Sequence, residues 1–256
     1  SGAMGNLVAQ MAHLQRGQEV ITGAHGHIPL HEAASHAVVV GAGLRTIEER
    51  ADGTLDLTAV REAFRDPTDV HDPITGLVVF ENASAHANNQ PVPSSYVRSL
   101  AAVAHEQGVP LHIDGARFRN TVVALDEDPR ELAGPADSVT FCLSKGLACP
   151  VGSVVVGSRA FIWRARRARK LIGGGMRQVG VLAAAGLVAL RDGDAGMIDR
   201  LAEDHANARF LAEALADIPG VASPGEAAQP DGDRLDPRRV RTNFVLFRVE
   251  RFQQSG

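Results

Sequence analysis

The chain has 256 residues, 45 % hydrophobic and 22 % charged, a balance that suits a folded protein with a sizeable core and excludes a disordered one. Its net charge of −4 argues against a general nucleic-acid or membrane-surface binder. No apolar run is long enough to span a bilayer and no charged-then-apolar leader opens the sequence, so a cytoplasmic protein is expected, with Cys142 and Cys149 as reduced thiols.

In chain order, residues 1–6 form a small-residue turn that runs into a helix over 7–14. A glycine-rich turn opening a helix gathers backbone N–H groups and the positive dipole end at one point, as a phosphate site requires. Residues 19–22 predict a strand. A histidine-rich segment (His25, His27, His31, His36) then leads into a helix over about 32–40. The His-x-His spacing resembles a metal motif, but no carboxylate or cysteine follows at ligand spacing, and no metal site is expected. Residues 44–48 predict a strand, 57–64 a helix, 76–82 a strand buried on both faces, 83–93 a loop and 94–107 a helix. The next strand, 109–117, carries Asp114 and Arg117 at its C-terminal end. Strands over 139–143 and 152–157 flank the turn Ser144-Lys145-Gly146. A basic helix over 160–171, whose charges read as a solvated face, precedes Gly173-Gly174-Gly175 and an Ala-rich helix over 179–190. A long helix over about 195–218, a loop over 225–239 and a strand over 242–249 complete the pattern. Alternating strands and helices predict an α/β domain with a mostly parallel mixed sheet over 1–192. Residues 193–256 read as a linking helix and the start of a smaller α+β domain.

In such a sheet, ligands sit at the carboxyl ends of the strands, and the polar interruptions fall there: Glu81-Asn82, Asp114 with Arg117, and Ser144-Lys145. A lysine at the end of a buried strand suits an amine that attacks a carbonyl, because burial disfavours the ammonium form. Lys145 and Lys170 are the only lysines. Pyridoxal phosphate needs such an amine and a carboxylate beneath its ring nitrogen, for which Asp114 is placed. Arg117 suits a carboxylate in a fork geometry. Plainer alternatives are a surface turn lysine and a structural Asp114–Arg117 ion pair.

The stretch from Leu111 to Arg117, the stretch from Cys142 to Leu147 with Pro150-Val151-Gly152-Ser153, and the stretch from Gly173 to Gln178 occur in the order and spacing of the low-specificity threonine aldolases. The chain resembles that family over essentially its whole length. The resemblance implies the aspartate-aminotransferase-like fold (fold type I) and pyridoxal 5'-phosphate as cofactor. It implies that Lys145 forms the Schiff base, that Asp114 pairs with the pyridine nitrogen, and that Arg117 contacts cofactor or substrate carboxylate. His27 falls where the family stacks a histidine on the ring, and His71 where a second histidine lies near the substrate hydroxyl. Backbone N–H groups of Gly2 and Ala3 would hold the phosphate, with Lys170 and Arg177 reaching it across a subunit interface. His31 stands on the substrate side, where the family commonly has a bulky aromatic. The implied reaction cleaves threonine, allo-threonine and related β-hydroxy-α-amino acids to glycine and an aldehyde, with His27 or His71 as the base. Alternatives are another lyase or aminotransferase of the same fold, or a cofactor-binding homologue without turnover. A homodimer or homotetramer with sites at the interface is implied, with an amino-acid substrate and no nucleic-acid or membrane partner. Measured against the family pattern, the chain starts at the phosphate turn without an N-terminal arm and carries only part of the small domain, without its carboxylate-binding arginine. Ala3 stands where the family has a hydroxyl, and Ala83-Ser84-Ala85-His86 where it has Thr-His-Asn.

Overall fold

The apolar runs of the sequence become the strands of one sheet. A computed structural model describes residues 1–191, 196–223 and 234–249. Strands β1 (Glu19–Gly23), β2 (Gly43–Ile47), β3 (Thr75–Glu81), β4 (Leu111–Gly115) and β5 (Ser138–Cys142) are parallel, and β6 (Ser153–Gly157) runs antiparallel to β5. Their order is β2-β1-β3-β4-β5-β6. Alternation explains why these runs read as continuous apolar stretches. β3 sends Leu77 and Val79 into the hydrophobic cluster on one face and Val78 and Phe80 into that on the other, all buried. A strand covered on both faces has no side that favours polar residues.

Helix α1 (Gly2–His13) lies on one face, with α7 (Arg159–Leu171) packed outside it through Ala9, Ala12, Phe161 and Ala165. Helices α3 (Leu57–Ala63), α4 (Ser94–Glu106), α5 (Phe118–Leu125) and α6 (Pro129–Ala133) cover the other face, where Val60, Val97, Leu100, Phe118 and Leu132 complete the larger core cluster. Local chemistry fixes their starts. The Asp56 carboxylate accepts from the N–H groups of Thr58 and Ala59, and the Asp128 carboxylate from that of Arg130. Caps of this kind contribute about 1 kcal/mol each. Beyond the sheet come α8 (Gly180–Ala189), α9 (Leu201–Ala216) and a two-stranded ribbon, β7 (Val221–Ala222) with β8 (Arg248–Val249).

Under α1 the face is polar. β4 turns His112 and Asp114 towards α1, β5 places Ser138 and Thr140 beside them in register, and α1 contributes Asn6, Gln10 and His13. Gly5 brings the helix this close: a Cβ there would lie 2.5 Å from Thr140 Cγ2.

Several expectations are revised. The first helix begins at Gly2 rather than residue 7, because the Ser1 hydroxyl accepts from the Met4 N–H and caps it. The helix expected over 32–40 is instead α2 (His27–His31) followed by a π-helical turn, His36–Val40. Ala33 and Ala34 between them take φ of 51° and 54°, which a right-handed helix does not allow. Of the strand expected over 242–249 only β8 pairs. The preceding residues are instead tied to the loop after β3, where Thr242 donates to the Asn89 carbonyl and the Leu246 N–H donates to Asn88 Oδ1. Of the long helix expected over about 195–218, only α9 (Leu201–Ala216) is helical: residues 196–200 are a bend and turn, and residue 195 lies outside the described residues. So does most of the loop expected over 225–239. Among the described residues, no helix is long and apolar enough to cross a membrane.

Candidate active site

The strand order reverses at β1, so β1 and β3 diverge in connection and open a crevice at their carboxyl ends. β1 leads to His25 and His27, β3 ends at Glu81, β4 at Asp114 and β5 at the lysine turn. The start of α1 arrives at the same end: a Cβ on Gly2 would lie 3.0 Å from Cys142 Sγ and 4.0 Å from Ser153 Oγ. The free N–H groups that open a helix are therefore presented beside the end of β5.

The centre is a buried hydrogen-bonded cluster. Asn6 Nδ2 donates to Asp114 Oδ2 at 2.7 Å and to Glu32 Oε1 at 2.8 Å. The same Glu32 oxygen lies 2.9 Å from His27 Nδ1. The His27 backbone N–H donates to Glu81 Oε2 at 2.7 Å, and that of Ala85 to Glu81 Oε1 at 3.0 Å. Asp114 is 3 % exposed. Burial, reinforced by the Glu32 charge, pushes its carboxyl pKa up, while the Asn6 hydrogen bond and the His27 and Lys145 charges oppose the rise. Desolvation and then the Asp114 charge push Glu81 up to about 7. The Glu32 hydrogen bond raises His27 against the opposing effect of burial.

Lys145 departs from expectation. β5 and Leu143 are buried, but the chain turns outward at Ser144 and Lys145, and both are exposed. The turn is closed by the Ala148 N–H on the Lys145 carbonyl and the Cys149 N–H on the Leu143 carbonyl. Gly146 sits where a Cβ would meet Leu201 Cδ2 at 2.7 Å, so α9 closes on the turn. Arg117 does not pair with Asp114. Its guanidinium lies 4.5 Å over the Phe244 ring, its Nε is buried without a partner among the described residues, and burial lowers its pKa.

A cavity of about 240 Å³ opens beside the cluster, lined by His25, His27, His31, His86, Leu30 and Phe244 among others. The His25 and His86 rings stack at 3.9 Å and 10°, and His25 is anchored by Glu49. His31 tilts against His27 at 5.5 Å. His71 lies elsewhere, exposed on the loop between α3 and β3 and bonded to Asp69 of its own turn. Lys170 and Arg177 are also exposed; Lys170 lines a groove of about 490 Å³ along α7 with Met11, Trp163 and Arg167. Ala3 is half-buried at the α1 start.

Two features escaped sequence reasoning. Glu32 and Asn6 build the cluster, and the signal for Glu32, a carboxylate five residues after His27, is meaningful only once the chain folds back. The carboxylates judged absent near the His-x-His are supplied by this fold: ligand atoms of His27, Glu32 and Asp114 all lie within 4.8 Å of one another.

The donor set fits a pyridine-based cofactor. Among the described residues the Asp114 side chain takes one hydrogen bond, from neutral Asn6, so a cationic ring N–H is a partner that its buried charge favours. The helix start beside Cys142 and Ser153 suits a phosphate.

A model of the beta-eliminating lyases matches residues 1–248. The chain is 45 % identical over 258 residues to a probable low-specificity L-threonine aldolase 2 of Arabidopsis thaliana, covering 100 % of itself and 68 % of that protein. It is 43 % identical over 249 residues to the low specificity L-threonine aldolase of Escherichia coli K12, covering 97 % and 68 %. It thus spans about two thirds of the length of these relatives. Among solved structures it shares its fold with the threonine aldolase of Leishmania major, with a TM-score of 0.73 and 21 % identity over 86 % of this chain and 63 % of the other. The parallel sheet, the site at its carboxyl edge and these relatives lead to one conclusion: the chain belongs to the beta-eliminating lyase family, alongside the low-specificity L-threonine aldolases.

Proposed function

We propose that the chain acts as a pyridoxal-phosphate-dependent carbon–carbon lyase, cleaving threonine, allo-threonine and related β-hydroxy-α-amino acids to glycine and an aldehyde. The observation that carries this reading is the buried Asp114 at the carboxyl edge of the sheet, tied through Asn6 to the Glu32–His27 pair, with the lysine turn at the end of the neighbouring strand β5. When bound, the cofactor supplies a covalent anchor for the substrate amine and an electron sink for charge developing at Cα.

The residues of this chain supply the rest. Lys145 carries the amine for the cofactor aldehyde, and Asp114 holds the ring nitrogen protonated. The N–H groups of Gly2 and Ala3 bind the phosphate at the α1 start. His27 flanks the ring, with its Nδ1 held by Glu32. Arg117, with its buried unpartnered Nε, binds the substrate carboxylate. His86 replaces His71 as the second histidine: it borders the cavity, and its stacking on His25 orients it. The His86 imidazole takes the substrate hydroxyl proton, the Cα–Cβ bond breaks with its electron pair left at Cα, and the oxygen becomes the aldehyde carbonyl. Leu30 and Phe244 give the β-substituent an apolar wall. We assign residues 1–192 to cofactor binding and the following segment to the start of a smaller domain, in a cytoplasmic homodimer or homotetramer. The exposure of Lys170 and Arg177, away from the cluster, supports sites completed by a partner subunit.

The test is spectroscopic and catalytic. The purified protein mixed with pyridoxal phosphate gains an absorbance band near the visible edge, and Lys145→Ala loses it. Threonine, allo-threonine or phenylserine then releases aldehyde, whereas an aminotransfer pair gives no exchange. Absence of aldehyde from every β-hydroxy amino acid tried refutes the proposal.

A further inference from the structure

Asn6 and Glu32 hold the reacting groups without touching the substrate cavity. Asn6 is 2 % exposed, Glu32 5 %, and each lies between groups to which function is assigned above. The two N–H bonds of the Asn6 amide are spent on two different carboxylates, one from β4 and one from the segment after α2. The Glu32 oxygen that accepts from Asn6 is the one that meets His27 Nδ1. The order Asp114, Asn6, Glu32, His27 is therefore an unbroken hydrogen-bonded chain linking β4, α1 and α2.

Two buried carboxylates this close repel, and neutral Asn6 is a donor that binds both without adding charge. Its position is set by the helix that also carries Gly2 and Ala3, so the phosphate end and the ring-nitrogen end share one rigid element. We propose that Asn6 and Glu32 are positioning residues that lock Asp114 and His27 into one unit, the carboxylate for the ring nitrogen and the imidazole that would flank the ring. The proposal rests on the cofactor reading above. Glu32 fixes which face of the imidazole turns to the ring, and Asn6 fixes the separation of the two carboxylates. The charged groups acting on His27 are Glu32 from the segment after α2, Asp114 from β4 and Glu81 from β3. His31 packs against its ring from α2.

The first measurement uses the cofactor-free protein. The His27 ring is titrated by NMR, with its resonance assigned from a His27→Gln sample. In the wild type its midpoint lies above the ordinary 6.5. In Glu32→Gln it falls, because the hydrogen bond and charge that raise it are removed while burial still lowers it. A merely structural Glu32 leaves the midpoint in place, and that result overturns the Glu32 role. The second measurement is the dissociation constant for pyridoxal phosphate, read from its absorbance. It rises about tenfold in Asn6→Ala, with Asn6→Ser as the variant to use if alanine disturbs α1. Unchanged affinity in a folded Asn6 variant overturns the Asn6 role. If instead the wild type itself takes up no pyridoxal phosphate, the cofactor reading fails, while the His27 titration still judges the Glu32 contact.

Discussion

His112 tests how the polar layer under α1 is held. Its ring is fully buried, with Nδ1 2.8 Å from Ser138 Oγ and Nε2 3.3 Å from Thr140 Oγ1. Burial, with a smaller push from His13, lowers its pKa to about 3. In the unfolded chain the same imidazole titrates near 6.5. A group with a depressed folded pKa contributes stability that is complete above 6.5 and is lost as pH falls, because the unfolded chain takes up a proton that the folded one refuses. The loss is about 1.4 kcal/mol per pH unit, or about 2 kcal/mol between pH 7 and pH 5. The wild-type profile alone conceals it. His13, lowered to about 4, adds a loss of the same sign. Glu81, Asp114 and His27 all have raised folded pKa values, bind protons more readily when folded, and gain stability on acidification. Subtracting a non-titrating variant cancels these contributions. His112→Asn keeps a polar partner for Ser138, and urea denaturation of both proteins at pH 7, 6 and 5 gives the difference. The variant is expected to be less stable at pH 7, with the gap narrowing by about 2 kcal/mol at pH 5. A gap constant to within about 0.5 kcal/mol would falsify the claim that burial holds this ring neutral.

Further outcomes follow from the same contacts. His86→Ala is expected to lower kcat/KM for threonine cleavage by on the order of a hundredfold, whereas His71→Ala leaves it unchanged; aldehyde-release assays of the two variants compare them directly. Gly5→Ala places a methyl 2.5 Å from Thr140 Cγ2, and an overpacked contact of this kind costs about 1–3 kcal/mol, visible as a lower Tm. Arg117→Lys retains charge but loses the fork and the Phe244 contact, so KM is expected to rise by at least about tenfold; an unchanged KM removes Arg117 from carboxylate binding.

The central strands of the sheet were legible because they are covered on both faces and read as apolar runs, as with Leu77 to Phe80. Helix α4 was legible for its periodic face, and α3 for the apolar residues that the Asp56 cap sets against the sheet. Asp114, Arg117 and Lys145 stood out because polar residues at the ends of apolar strands have few structural reasons to be there. The segment from Glu32 to Val40 misled because alanines favour a helix locally, while the chain takes positive φ at Ala33 and Ala34 directly after Glu32. His71 and His86 are alike as letters in a polar loop, and only the return of the chain after β3 puts one beside His25 and leaves the other in solvent.

The sequence by itself determined the alternating α/β pattern, the strand ends that carry chemistry and the motifs that tie the chain to its relatives, because each is written in consecutive residues. The tertiary structure alone decided which polar groups meet. Asn6, Glu32 and Asp114 are separated by 26 and 108 residues along the chain and by one amide group in space. The raised proton affinity of Asp114 follows from that meeting, since burial and the neighbouring Glu32 charge push its carboxyl pKa up.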